Sequence, residues 1–243
     1  MRALLPHEDV VYLADQAHVP YGDRDQDDVA RLAAANVAVL EAAGVDAIVM
    51  GCNTSCAVAA ERGWPSARVP LLDLIAAAAD DVAARAPRRI GVVATAATAA
   101  TGAYGKAIRA RLATAGVQEI AAPALVPLVE AGTVRGLVAR AAVRDALAPL
   151  LKPLDALVLA CTHYPLLTEH FAALLPGVTL VDPAVAQAAR AAAYVRARGG
   201  PNGRGHTRFL TTGPQESYRH ALAGFGMLRP GDDVARVAHA VAS

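Results

Sequence analysis

The 243-residue chain has only three cysteines, Cys52, Cys56 and Cys161, too few for a disulfide framework. In a reducing compartment all three stay thiols, either as buried filler or as chemistry. Lysine is scarcer still, with Lys106 and Lys152 against 21 arginines, a compositional bias without functional content. The charges are spread to a formal net of +1 without a basic block. That excludes the electrostatic footprint of a nucleic-acid or membrane-surface binder and leaves small neutral or acidic partners open. Long hydrophobic runs are missing too, because Asp73, Asp80 and Asp81 break the richest apolar stretch before it reaches the roughly 18 residues of a spanning helix. The opening Met1–Leu5 meets Pro6, Glu8 and Asp9 too soon for a secretory signal, so a cytoplasmic location is expected. What is plentiful is apolar content, 55%, enough for the core of one large domain or two modest ones.

One phrase occurs twice. DAIVMGCNT runs from Asp46 to Thr54, DALVLACTH from Asp155 to His163, and the two stand 109 positions apart. Each opens on a continuous apolar run of the kind that suits a central parallel strand covered on both faces. After Cys52, residues Asn53, Thr54 and Ser55 can cap a helix through Ala57 to Glu61; after Cys161, a turn with Pro165 precedes a helix from Leu166 to Leu175. Each cysteine is thus expected where a strand ends and a helix begins. A looser echo links Val19-Pro20-Tyr21-Gly22-Asp23 to Val126-Pro127-Leu128-Val129-Glu130, each after an apolar run.

Two copies of one unit predict an α/β protein of two pseudo-symmetric, doubly wound domains with parallel sheets and an active site in the cleft between them. Residues 76–185 form the second domain. Residues 1–75 form the first and are completed by 186–243, whose helix (Val185 to Arg198), Gly- and Pro-rich stretch and Thr207–Gly213 segment match neither copy. The second unit opens on the strand Arg89–Thr95, whose counterpart in the first would precede Met1. The first unit is therefore expected to lack that strand, the loop after it and most of the next helix. Loops at the carboxyl ends of parallel strands build the sites of such folds, so a looser first unit and impaired activity are expected.

A pseudo-twofold pairing sets Cys52 against Cys161 across the cleft. Inverting a carbon centre by proton transfer needs one group to take a proton from one face and another to return one to the opposite face, and two matched thiols can exchange those roles. A thiol near pKa 8.5 is lowered at a helix N-terminus, which both positions predict. Backbone N–H groups there, with Asn53, Thr54 and Thr162, would hold a carboxylate. A small acid is the expected substrate. Cys56, a helical turn beyond Cys52, reads as core.

At these residues the chain resembles the cofactor-independent aspartate/glutamate racemases. The resemblance rests on Asp15 through Pro20-Tyr21-Gly22, Cys52-Asn53-Thr54, Ile90-Gly91-Val92 through Thr95, Val126 to Glu130, Cys161-Thr162-His163-Tyr164-Pro165 and Phe209 to Gly213, and covers nearly the whole chain. It implies two-base interconversion of L- and D-glutamate without cofactor or metal, supplying D-glutamate to peptidoglycan synthesis. It implies that Cys52 takes the proton from the D-isomer and Cys161 from the L-isomer, with His163 and Glu130 tuning the second thiol. Pro20, Tyr21, Gly22, Asn53, Thr54, Thr95, Thr162 and His163 would bind substrate. Ala160 stands where the family has glycine, and the family's Asp-Ser-Gly loop, with its carboxylate beside the first cysteine, has no counterpart. A homodimer is left open.

Alternatives come from different chemistry. Cys52, Cys56, Cys161 and His163 offer zinc-ligand types without the close C-x2-C pairs of structural sites. A pyridoxal enzyme would need a Schiff-base lysine, and neither lysine lies in a motif. Aspartate in place of glutamate, or a non-catalytic binder of the gyrase-inhibiting type found among such racemases, would keep the same fold.

Overall fold

The computed structural model describes residues 1–150, 153–200 and 202–238, so Leu151, Lys152, Pro201 and the last five residues lie outside the described set. In chain order, β1 (Val10–Ala14) leads to α1 (Gln26–Ala42), β2 (Ile48–Val49), α2 (Asn53–Arg62), β3 (Leu71–Leu72) and α3 (Leu74–Arg85). Next come β4 (Arg89–Ala94), α4 (Ala96–Thr101), α5 (Ala103–Arg111), β5 (Gly116–Ala121), α6 (Leu125–Glu130), α7 (Gly136–Leu147) and β6 (Ala156–Ala160). A 3-10 turn at Tyr164–Leu167 then precedes α8 (Thr168–Leu174), β7 (Thr179–Val181), α9 (Pro183–Ala197), β8 (Thr207–Thr211), α10 (Gln215–Gly224) and β9 (Asp233–Arg236). Every strand pairing among the described residues is parallel.

The duplication is written into the strand register. Ile48 pairs with Leu71 and Val49 with Leu72; adding 109 gives Leu157 with Leu180 and Val158 with Val181, the pairs observed between β6 and β7. The helices after them start alike. Asp73 caps α3 by accepting from Ile75 N–H at 2.8 Å, and Asp182 caps α9 by accepting from Ala184 N–H at 2.9 Å. These two helices pack on each other, and Arg190 of α9 pairs with Asp80 of α3. From α9, Gln187 Nε2 donates to the carbonyls of Met50 (3.0 Å) and Leu72 (2.5 Å), tying β2 and β3 to the same helix. The Val126–Glu130 echo does not share a conformation: it is the helix α6, whereas Val19–Asp23 is irregular, because Leu125 and Val129 are drawn as a helical pair into the second unit's core.

The second unit has a continuous sheet in the order β5-β4-β6-β7. Its central strand β4, Arg-Ile-Gly-Val-Val-Ala, is buried at every position but Arg89. An apolar run with no alternation is stable only with both faces covered. The first unit carries two pieces instead, β1-β8-β9 and β2-β3, with no ladder between β1 and β2 among the described residues. By the register, the position between them is the one β4 fills in the other unit. Val10, Tyr12 and Ala14 turn their backbone groups to β8, leaving those of Val11 and Leu13 on the open edge; Ile48 and Met50 bond to β3, leaving Val49. The phrase's first residue registers the same difference. Asp155 accepts from Arg88 and Arg89 N–H (3.0 and 2.8 Å) at the start of β4, while Asp46 makes no hydrogen bond among the described residues.

Candidate active site

Both cysteines lie at carboxyl ends of strands. Cys52 comes after β2, has extended backbone (φ −105, ψ 122) and is itself the N-cap of α2, with Sγ accepting from Ser55 N–H at 3.4 Å. The sequence predicts Asn53, Thr54 or Ser55 in that role. All three are instead already helical and at most 4% exposed, so the first outward-facing acceptor is the sulfur. Cys56 is fully buried, and burial pushes its thiol up.

Cys161 comes directly after β6 and is also buried. Burial pushes its thiol up to about 12, against the opposing pull of the His163 and Tyr164 N–H groups, and the charge of Cys52 raises it further. The lowered pKa expected at Cys161 is therefore corrected. The chain beyond this cysteine forms a four-residue 3-10 turn rather than a full helix, too little aligned backbone to offset desolvation. His163 is placed beside this thiol, Nδ1 at 3.7 Å from Sγ, and its Nε2 lies 2.5 Å from Glu130 Oε1 at the end of α6. Cys161, His163 and Glu130 form a line from buried sulfur to exposed carboxylate.

The other candidates gather where the units meet. Thr54 Oγ1 on α2 lies 3.2 Å from both Thr95 Oγ1 and Thr98 Oγ1 of the second unit, and Thr95 donates to Thr98 at 3.0 Å. Gly22 packs so closely that a Cβ there would lie 2.8 Å from Thr95 Cβ, and its carbonyl accepts from Ala97 N–H at 3.1 Å. Tyr21 sits near enough to Cys52 to feel its charge, and burial above all raises its hydroxyl. That hydroxyl is already engaged, donating to Asp15 and accepting from Asn36 Nδ2 at 3.0 Å. Thr212 also donates to Asp15, at 2.6 Å, so the motif at each end of the chain meets on one carboxylate. Pro20 and Thr162 are exposed and make no side-chain hydrogen bond among the described residues. Sequence reasoning missed Thr98, which the helical spacing from Thr95 could have paired, and Tyr104, whose hydroxyl donates to Asn53 Oδ1 across the units and which no repeat or motif marks. Among the described residues no group of three or more His, Cys, Asp and Glu side chains could hold a metal ion, and no helix is long and apolar enough to cross a membrane.

A family model described as Asp/Glu/hydantoin racemase matches residues 1–191. The chain belongs to that family. It is 44% identical over 191 residues to the glutamate racemase of Gloeobacter violaceus, covering 78% of this chain and 72% of that one. Among solved structures, glutamate racemase from Thermus thermophilus in complex with β-chloro-D-alanine superposes with a TM-score of 0.84 at 37% identity, covering 98% of this chain and 90% of that one. Glutamate racemase from Francisella tularensis in complex with D-glutamate gives 0.87 at 26% identity, covering 98% and 91%. For a racemase of this family, paired thiols at register-matched strand ends are the feature to be explained.

Proposed function

We propose that this member of the family interconverts L- and D-glutamate by transferring protons through Cys52 and Cys161. The glutamate racemases it is similar to, one of them holding D-glutamate, supply the substrate class. The observation that carries the mechanism is the pair of thiols at matched strand ends in unlike surroundings: Cys52 partly exposed at a helix N-terminus, Cys161 buried and protonated.

In the D-to-L direction Cys52, as thiolate, removes the α-proton from one face, and the Cys161 thiol delivers its proton to the opposite face of the flattened carbon. L-glutamate leaves, with Cys52 now a thiol and Cys161 a thiolate. The L-to-D direction starts from that state: the Cys161 thiolate removes the α-proton and the Cys52 thiol delivers its own to the opposite face. His163 Nδ1, beside the Cys161 sulfur and backed by Glu130 at Nε2, is placed to exchange a proton with that thiol and so to help set which of the two states the free enzyme holds. The first N–H groups of α2, the Asn53 amide and the Thr54–Thr95 hydroxyls hold the α-carboxylate, while Gly22, by lacking a side chain, lets the chain pack against Thr95. Tyr21 contributes its backbone and ring, since its hydroxyl is occupied. No cofactor is used, the product feeds peptidoglycan precursors, and the enzyme works in the cytoplasm as a monomer or homodimer.

Incubation with L-glutamate in D2O without added cofactor tests this. D-glutamate carrying deuterium at the α-carbon is expected; absence of both isotope and inversion overturns it.

A further inference from the structure

Asn53 belongs to the first turn of α2 in the first unit, and Tyr104 to α5 in the second. Tyr104 is completely buried, near Cys56 and Asp73, and its hydroxyl donates to Asn53 Oδ1. A phenol in such a place has one proton and must place it on an acceptor. Burial keeps the group protonated, well above the usual tyrosine range, so it acts as donor. With Oδ1 held, Nδ2 must point the opposite way. Nδ2 makes no protein hydrogen bond among the described residues, yet unlike Gln187 Oε1 it is not sealed from solvent. The 4% of Asn53 that remains exposed therefore includes its amino group.

A carboxamide keeps nearly the same shape when rotated by half a turn, so packing alone does not decide whether it presents N–H donors or a carbonyl. The two faces have opposite effects on a carboxylate. We propose that Tyr104 is a positioning residue for substrate recognition: it reaches across the domain boundary, fixes the Asn53 carboxamide with its amino group toward the substrate beside Cys52, and makes that donor available only when the two units are docked. This rests on reading Asn53 as a substrate-binding residue. Phenylalanine would fill the same volume, so the hydroxyl alone carries the effect.

The test is a double-mutant cycle on the full chain with Tyr104→Phe, Asn53→Ala and both together, measuring D-glutamate binding, steady-state kinetics and thermal melting. Tyr104→Phe is expected to raise Kd and KM about tenfold, the loss of one hydrogen bond to a charged group, with kcat within about twofold. Melting should shift little. In the Asn53→Ala background Tyr104→Phe should add nothing. If Asn53→Ala binds glutamate like the unchanged chain, the reading of Asn53 fails and the proposal with it. If Asn53→Ala weakens binding but Tyr104→Phe does not, or Tyr104→Phe acts equally in both backgrounds or only on kcat, the reading of Asn53 stands and Tyr104 does not act through it. Asn53→Asp covers a Tyr104→Phe chain that fails to fold. It keeps an acceptor for Tyr104 while replacing the amino group by oxygen, so it should bind glutamate more weakly than Asn53→Ala, and undiminished binding overturns the proposal.

Discussion

A buried thiol held near 12 keeps its proton at neutral pH, whereas Cys52 is partly exposed at a helix N-terminus, so Cys161 and Cys52 enter the reaction unequally. Replacing either by serine should lower racemisation by about 10² to 10⁴, the range for loss of a general acid or base. Cys56→Ser should spare turnover and lower the melting temperature, since it puts a hydroxyl in a fully buried site. Retained activity in Cys161→Ser alongside loss in Cys56→Ser would reverse the assignment. Stability should register the raised thiol as well. The folded pKa of Cys161 lies above the roughly 8.5 of a thiol in the unfolded chain, so its contribution is complete below that pH and is lost as pH climbs toward 12. Urea midpoints from pH 8 to 11 should accordingly fall less steeply in Cys161→Ser than in the unchanged chain, and parallel curves would show that the thiol is not shifted. These cysteines were legible because each belongs to a repeated phrase. The sense of the pKa shift at Cys161 was not, because the phrase marks a strand end but does not say whether a full helix or one 3-10 turn comes next.

Strands were legible wherever they carried an unbroken apolar run, as in the partly exposed Val10–Ala14, in Arg89–Ala94 after its first residue and in the buried Ala156–Ala160. The short β9 and the helix α6 were not, because Asp233–Arg236 has no apolar run and Pro127 disguises a helical segment as a turn. The interruption between β1 and β2 was foreseen from the repeat, and it has a measurable consequence. Val158 lies against β4, but its counterpart Val49 turns its N–H to the open edge, as do Val11 and Leu13. Unpaired strand-edge amides exchange readily, whereas those inside a four-stranded sheet need sub-global opening. Hydrogen exchange followed by NMR should therefore show Val11, Leu13 and Val49 exchanging orders of magnitude faster than Val158. Equal protection would mean that another segment pairs with those edges. A peptide of the β4 type, Arg-Ile-Gly-Val-Val-Ala, offered to the chain is the matching experiment, and selective slowing at these three residues is the expected response.

The two units meet through unlike contacts, and this decides what a change at the boundary does to the whole molecule. α3 and α9 form the broad helical contact, with Asp80 pairing to Arg111 and Arg190. At the front, the Thr54, Thr95 and Thr98 hydroxyls and the Gly22–Thr95 packing set how closely the cleft walls approach. Opening the front should thus cost little stability and much activity. Gly22→Ala tests the separation directly, because its Cβ would lie 2.8 Å from Thr95 Cβ and 2.9 Å from its Cγ2, inside any real contact, on a β-branched side chain that cannot swing away. The strain of such overpacking is about 1 to 3 kcal/mol, and the hydroxyl contact can relieve part of it by letting the units part slightly. A displacement of about 1 Å at reacting groups costs on the order of 10² in rate. Gly22→Ala should therefore reduce kcat/KM about a hundredfold while the melting temperature falls by only a few degrees. Thr95→Ser removes the Cγ2 methyl at 2.9 Å and keeps the hydroxyl bonds, while the Cβ at 2.8 Å stays, so adding it to Gly22→Ala should return part of the activity. No gain at all, with the double variant still folded, would show that the Cγ2 contact does not set the spacing of the two units.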